Sequence, residues 1–202
     1  MKKLGKEFYK RNTLEVAREL LGKYLIHEHE GNKLIGKIVE VEAYMGVEDK
    51  AAHSYGGRRT ERTAVMYKEG GYAYVFQIYG MYYCVNVVTS EKEIPQAVLI
   101  RALEPVEGLD AMSENRYNKE YEELTNYQKK NLTNGPGKLC IAMNIDKELN
   151  GEDLCKEKLY ILDNKEKFDI ITSKRINIDY AEEAKDYPWR FYIKDNKYIS
   201  KK

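Results

Sequence analysis

YVFQIYGMYYCVNVV, Tyr74–Val88, alternates side chains in strand fashion on both sides of a glycine-centred break, the pattern of two strands folded back on each other. Tyr79-Gly80-Met81 is the tip. Hairpin tips face water and favour Asn, Asp, Gly or Ser, so this one sets a Tyr and a Met where little protein is available to bury them. On the return strand Cys84, Asn86 and Val88 share one face, and Val85 and Val87 the other. An Asn in that apolar row either bonds to backbone or lines a pocket.

Working outward, Lys23 to Glu28 and Leu34 to Tyr44 flank the turn residues Glu30-Gly31-Asn32 and read as a second antiparallel pair. Further strands are expected at Tyr72 to Ile78, Val98 to Leu103, Leu159 to Leu162, Ile170 to Thr172 and Phe191 to Ile193. Asn12 with Glu15 resembles a capping box, and Leu14, Ala17, Leu20 and Leu21 give a helical stripe that Gly22 closes. More helices are expected after Pro105, through Glu120 to Lys130, and after Gly135-Pro136. Hairpins grouped early and helices later predict an α+β fold: a curved, mostly antiparallel sheet flanked by helices, with the hairpin protruding.

At 202 residues the chain has the size of one larger domain, residues 1–202, and no Pro-, Gly- or Ser-rich linker divides it. Four prolines and 43% hydrophobic residues argue for a folded globular protein. Eighteen tyrosines suit a wet core boundary or a binding surface. The apolar runs are too short to cross a bilayer, and the basic N-terminus lacks the apolar segment of a secretory signal. Three widely spaced cysteines fit reduced thiols, so a cytoplasmic location is expected. The net charge of +1 neither demands nor excludes a polyanion, because phosphate binding depends on where charges lie, and Arg58, Arg59 and Arg62 are clustered.

Among residues able to do chemistry, strand alternation in GKIVEVEAYMGVEDKAAHS puts Glu40, Glu42 and Tyr44 on one face and Val39, Val41 and Ala43 on the other. If the apolar row faces the core, the Glu pair lies at an accessible surface or on the floor of a cleft. The pair is then either an ordinary solvated edge or the seat of a general base. Arg101, inside the apolar strand VLIRALEP, needs a carboxylate partner if buried, and Glu42 is a candidate that an Arg would help keep ionised. His27 and His29 could start a metal site, but no third ligand follows at plausible spacing, so no metal is expected. GGRRTERT lacks the Lys-Ser/Thr ending of a phosphate loop.

Taken together and in order, IVEVEAYMGVEDKAAHS, GGRRTERT, YVFQIYGMYYCVNV, VLIRALEPVEG, NGPGKLC and WRFYI closely resemble the alkyladenine (3-methyladenine) DNA glycosylase family, from about Leu14 to Tyr198. The resemblance implies that Glu42 is the general base that deprotonates the attacking water. Arg101 would help hold that water, with the backbone carbonyl of Ile178 as a third contact. It makes Tyr44 the residue that stacks on the extruded base, His53 one that hydrogen-bonds it, and Asn86 the residue that crowds the guanine amino group. Tyr79 would wedge into the duplex, with Met81 beside it. Two departures stand out: Phe76 occupies a position where the family often has a second pocket Tyr, and Asn177 and Asp179 stand where glycines are expected.

The implied activity is base excision without strand cleavage, because the matched site offers a carboxylate and water rather than an amine nucleophile. Alkylated or deaminated purines would be flipped from duplex DNA and hydrolysed off, the 3-methyladenine, 7-methylguanine, hypoxanthine and ethenoadenine class, with no cofactor. The expected partner is double-stranded DNA containing damaged purines, met by a monomer, at the nucleoid if the cell is bacterial. The cluster Arg58, Arg59, Arg62, with Lys68 and the Gly135-Pro136-Gly137-Lys138 helix entry, is expected to supply phosphate contacts. Two alternatives remain at this level: a non-catalytic nucleic-acid-binding protein whose aromatic hairpin stacks on bases, and a nucleosidase working through the Glu40 and Glu42 pair.

Overall fold

The longest strand organises the sheet in the computed structural model, which describes residues 1–201. β1 (Tyr24–His29) turns through Glu30 and Gly31, both at positive φ, into β2 (Asn32–Tyr44). This two-residue turn matches the right-handed twist of paired strands, and Gly meets its φ of 79° without strain. β3 (Ala73–Ile78) and β4 (Tyr82–Thr89) form the hairpin read from the sequence, and β4 pairs onto β5 (Gln96–Glu107). β5 runs along one edge of β2; the other edge is shared, β1 on the first half and β8 (Arg190–Ile193) on the second. β6 (Leu159–Leu162) borders β1, and β7 (Ile170–Ser173) borders β8. All these pairings are antiparallel, giving an eight-stranded curved sheet and the expected α+β class.

The bend has an identifiable source. Between the pairs Ile38 with Leu103 and Glu40 with Ala102, Val39 has no partner; between Glu40 with Ala102 and Val41 with Ile100, Arg101 has none. Extra residues of this kind bend a ladder and re-aim side chains. One face of the sheet carries Val39, Val41, Ala43, Val75, Val85, Val87, Val98 and Ile100, all in the main core. Helices cover that face: α1 (Lys6–Tyr9), α2 (Thr13–Leu20), α3 (Leu109–Tyr117) and α5 (Pro136–Ala142), while α4 (Asn126–Lys130) buries no residue. Leu139, Cys140 and Ala142 of α5 and Met112 of α3 complete the packing. The opposite face is left for the site.

Four local expectations change. α2 starts where expected, with the Asn12 side chain accepting from the amides of Leu14 and Glu15, but its buried stripe adds Thr13 and Val16 to Ala17 and Leu20, with Leu14 half-buried against the core. The single helix expected over Glu120 to Lys130 is a short turn at Tyr121–Glu123 and then α4. Thr125 and Gln128 form a capping box that starts a new helix there, because a cap residue must leave helical geometry. VLIRALEP does not end at Pro105. The strand continues to Glu107, with Pro105 opposite Gly36 beside a register shift, where a missing N–H is tolerated. Lastly, Glu40 and Glu42 share a face as alternation requires, but neither is accessible: both are 0% exposed.

Among the described residues no helix is long and apolar enough to cross a membrane.

Candidate active site

The uncovered face holds a cleft of about 460 Å³. β2 supplies Tyr44; β3 supplies Tyr74 and Phe76; β4 supplies Cys84 and Asn86; β5 supplies Leu99 and Arg101. Two loops close it, one with Ala51 and His53, the other with Ile176, Asn177, Ile178 and Tyr180. Tyr79 stands at its rim. Tyr44, His53, Phe76, Asn86, Arg101, Ile178 and Tyr79, read from the sequence as site residues, are therefore brought to one place although the chain spreads them over more than half its length.

Glu42 lies under the floor, and its contacts account for a carboxylate out of water. The Tyr44 hydroxyl donates to Oε2 at 2.9 Å, the Ile176 amide donates to Oε1 at 2.7 Å, and Arg101 Nη1 lies 3.4 Å from Oε1. Burial raises the carboxyl's pKa above its ordinary value, and the opposing pull of Arg101, the Ile176 amide and Tyr44 does not fully cancel it. The group is thus more basic than a surface carboxylate, the property a general base needs. The Tyr44 phenol, pushed up by burial and by Glu42, stays a donor. The Cys84 thiol is pushed up to about 12 by burial and is a wall, not a nucleophile.

The Ile178 carbonyl accepts from the Ala181 amide at 2.9 Å. It is Ile176, two residues earlier, that places a backbone group on Glu42. Asn177 between them has a φ of 59°, the left-handed region that explains the glycine expected there; Asn is among the residues that adopt it most readily.

The upper pocket is aromatic. His53 packs edge-on to Phe76 with ring centres 4.5 Å apart, and its Nδ1 lies 2.9 Å from the Tyr74 hydroxyl. Burial, reinforced by Arg62 and Arg58, lowers the imidazole to about 4, so it is neutral at physiological pH. Asn86 fulfils both sequence alternatives at once: it lines the cleft, and its Nδ2 donates to the Tyr74 carbonyl at 3.0 Å.

The hairpin tip projects beyond this pocket. Tyr79 is 80% and Met81 64% exposed. Tyr79 adopts a φ of 51° and Gly80 one of 70°, and the Met81 amide closes the turn on the Ile78 carbonyl at 3.2 Å. A non-glycine residue held in that region is strained, and such outliers cluster where function requires a fixed geometry. Where the hairpin's second strand begins, next to the tip, a Cβ added at Gly137 would sit 3.1 Å from Tyr82, so the start of α5 packs closely under it.

The expected phosphate contacts divide. Arg58 and Arg62 are exposed. Arg59 is paired with Glu93 at 2.6 Å and lies over Tyr67. The Lys138 ammonium is held by the side chains of Asn131 and Asn134 at 2.8 and 2.9 Å, which makes it a brace for the helix entry. Among the described residues no three His, Cys, Asp or Glu side chains converge, and His27 instead bonds the Met143 carbonyl at 2.8 Å.

Sequence reading missed a second layer. Arg175 and Asp49, both fully buried, form a two-pronged pair at 2.5 and 2.8 Å, and the guanidinium lies between the rings of Tyr44 and Trp189. The pair fixes the wall that carries Tyr44. Arg190 and Ser200 close around Glu40. No spacing signal links residues so far apart; only a charge inside an apolar context, as at Arg190 in PWRFYI, hints at a buried partner.

Comparison with known proteins gives one answer along the chain. The family model for methylpurine-DNA glycosylase matches residues 7–197. A Clostridium novyi protein is 68% identical over 202 residues, covering all of both chains. One from Desulfitobacterium hafniense is 62% identical over 203 residues, again covering both chains, and one from Clostridium acetobutylicum is 60% identical over 199, covering 98% of this chain and 97% of its own. All three carry the provisional name 3-methyladenine DNA glycosylase.

Proposed function

Because the chain belongs to the methylpurine-DNA glycosylase family, whose members hydrolyse the N-glycosidic bond of a base in DNA, we propose that it excises alkylated or deaminated purines from duplex DNA, with Glu42 as the base that activates water. The observation that carries this reading is the Glu42 carboxylate, buried at the floor of an aromatic cleft and held by Tyr44, Ile176 and Arg101.

The reaction breaks the bond between C1′ and the purine nitrogen, and the bonding electron pair leaves with the purine. A purine methylated at N3 or N7 already carries positive charge and leaves readily, so the protein's task is extrusion, selection and delivery of water. Glu42 takes the water proton as the new C1′–O bond forms, and its negative charge stabilises the oxocarbenium-like centre. Arg101 orients that water, and the Ile176 amide fixes the carboxylate that activates it.

Tyr44 and Phe76 stack on the flipped base, a cation–π preference of about 0.5–2 kcal/mol for methylated purines. His53, neutral, hydrogen-bonds it, and Asn86 crowds the guanine amino group. That margin alone is modest, so easier flipping of damaged pairs adds selection. Tyr79 and Met81 fill the gap left in the duplex, offsetting lost stacking of a few kcal/mol. Arg58 and Arg62 meet phosphates, so binding weakens steeply with salt. Among the described residues no lysine lines the cleft, which supports base release without a Schiff base and hence without lyase activity. Water is the only co-reactant this balance requires. A monomer acting in the cytoplasm, at the nucleoid of a bacterial cell, completes the proposal.

The nucleosidase alternative needs Glu40 as a second working carboxylate, and Glu40 is saturated by donors with no face on the cleft. The test is chromatography of free bases released from methylated duplex DNA by the natural protein and by Glu42→Gln. Release by the first and its near-complete loss in the second, with DNA binding kept, supports the proposal. Equal release by both removes Glu42 from its role, and binding without release by either leaves a damage-binding protein.

A further inference from the structure

Two carboxylates and two guanidiniums are buried side by side behind the cleft: Glu40, Glu42, Arg101 and Arg190. Glu40 has no opening to solvent or to the cleft, yet it gathers more donors than Glu42. Its Oε1 accepts from Arg190 Nε at 2.8 Å, Ser200 Oγ at 2.9 Å and Arg101 Nε at 3.3 Å, and its Oε2 accepts from the Ser200 amide at 2.5 Å. Ser200 Oγ also lies 3.4 Å from Arg101 Nη2, and Arg190 Nη2 donates to the Lys201 carbonyl. Arg101 is thus gripped on Nε and Nη2, which leaves Nη1 facing Glu42 at 3.4 Å. A guanidinium is a rigid planar fork, so fixing two of its nitrogens fixes where the third points.

We propose that Glu40 and Ser200 form a positioning clamp that aims Arg101 at Glu42, so that Ser200 completes a catalytic centre built around strands far upstream of it. The clamp rests on the reading of Glu42 as base. Its charge pattern explains why both carboxylates are needed. Arg190 answers the charge of Glu40, so Arg101 can be held by Glu40 without being neutralised by it and keeps a net attraction for Glu42. The contact with Ser200 spans 160 positions, which couples docking of the segment around Ser200 to assembly of the site.

The charged and titratable groups that face Glu42 are Arg101 from β5, Glu40 and Tyr44 from its own strand, Arg190 opposite it on β8, Cys84 from β4, and Tyr180 from the loop beyond β7. The clamp therefore has a signature that general loosening lacks. Ser200→Ala releases Arg101 Nη2 and one Glu40 donor; kcat should fall roughly ten- to a hundredfold with KM little changed, and the acid limb of the pH–rate profile should move to higher pH. Ser200→Thr, which keeps the hydroxyl, should restore both. Glu40→Gln keeps an acceptor for the arginines but removes a charge beside Glu42, so its acid limb should move to lower pH.

These opposed shifts, measured on methylated duplex DNA with the full chain, are the expected result. Acid limbs that superimpose on the natural protein's in both variants overturn the clamp, as does failure of Ser200→Thr to recover what Ser200→Ala lost. If Glu40→Gln does not fold, the Ser200 pair still decides. Glu42→Gln is run alongside: activity surviving in it removes the base assignment, whereas an inactive Glu42→Gln with an unmoved Ser200→Ala removes the clamp alone.

Discussion

The tip at Tyr79-Gly80-Met81 and the strand segment Glu40–Tyr44 are built by opposite means. At the tip, conformation is set within five residues: two successive positive φ values and one turn hydrogen bond hold an aromatic side chain that is 80% exposed. In the strand segment, both glutamates are 0% exposed, and apart from the neighbouring Tyr44 their polar partners come from Arg101, Ile176, Arg190 and Ser200. A wedge has to reach out and needs only a rigid stem. A buried base has to be surrounded, and it inherits its chemistry from whatever the fold brings to it.

Changes at the two places should separate stability from activity. The largest expected effect on stability is at the strand. Glu40→Ala leaves Arg101 and Arg190 buried without their carboxylate and should cost about 3–5 kcal/mol, read as a lowered denaturant midpoint. A cost under about 1 kcal/mol would mean that the cluster is not a stabilising unit. At the tip, Tyr79→Ala should leave stability within about 0.5 kcal/mol. The same variant should slow excision from duplex DNA by roughly 10–100-fold, since a stacking loss of a few kcal/mol is no longer offset, and should act less on single-stranded substrate. Equal slowing on both substrates would break the comparison.

Proton linkage sharpens it further. His53 titrates near 4 when folded against 6.5 ordinarily, so its neutral form favours the fold. That contribution is complete above 6.5 and is lost as pH falls toward 4, and His53→Gln should flatten stability across that window. Glu42 shifts the other way: its raised pKa means that excision should climb with pH through a limb above the usual carboxylate range. The tip should add no pH dependence in either window. The smallest effect is expected from Phe76→Tyr, which restores a hydroxyl to the pocket wall without changing its stacking; ratios of hypoxanthine to 3-methyladenine release should move by less than about tenfold.

Much of this was legible beforehand because it depends on short-range pattern. Alternation in Tyr74–Val88 placed Cys84 and Asn86 on the cleft face and Val85 and Val87 in the core. Alternation also put Glu40 and Glu42 on one face but failed on their exposure, because a period-two pattern says which side a residue takes and nothing of what covers that side. The Ile176 amide's contact with Glu42 was not legible for a similar reason. A loop's register against a distant carboxylate is set by the turns that anchor it, here Ile178 to Ala181.

By itself the sequence determined the antiparallel hairpins, the α+β class, the exposed aromatic tip and, through motif order, the family to which the chain belongs. Local sterics and side-chain alternation act over a few residues and can be read there. Only the tertiary structure decided that Glu40 is sealed, that Glu42 is held by Ile176, that Arg175 and Asp49 back the Tyr44 wall, and that Ser200 reaches Arg101. Burial and ion pairing are properties of what the chain brings together across long separations, and no local rule carries that information.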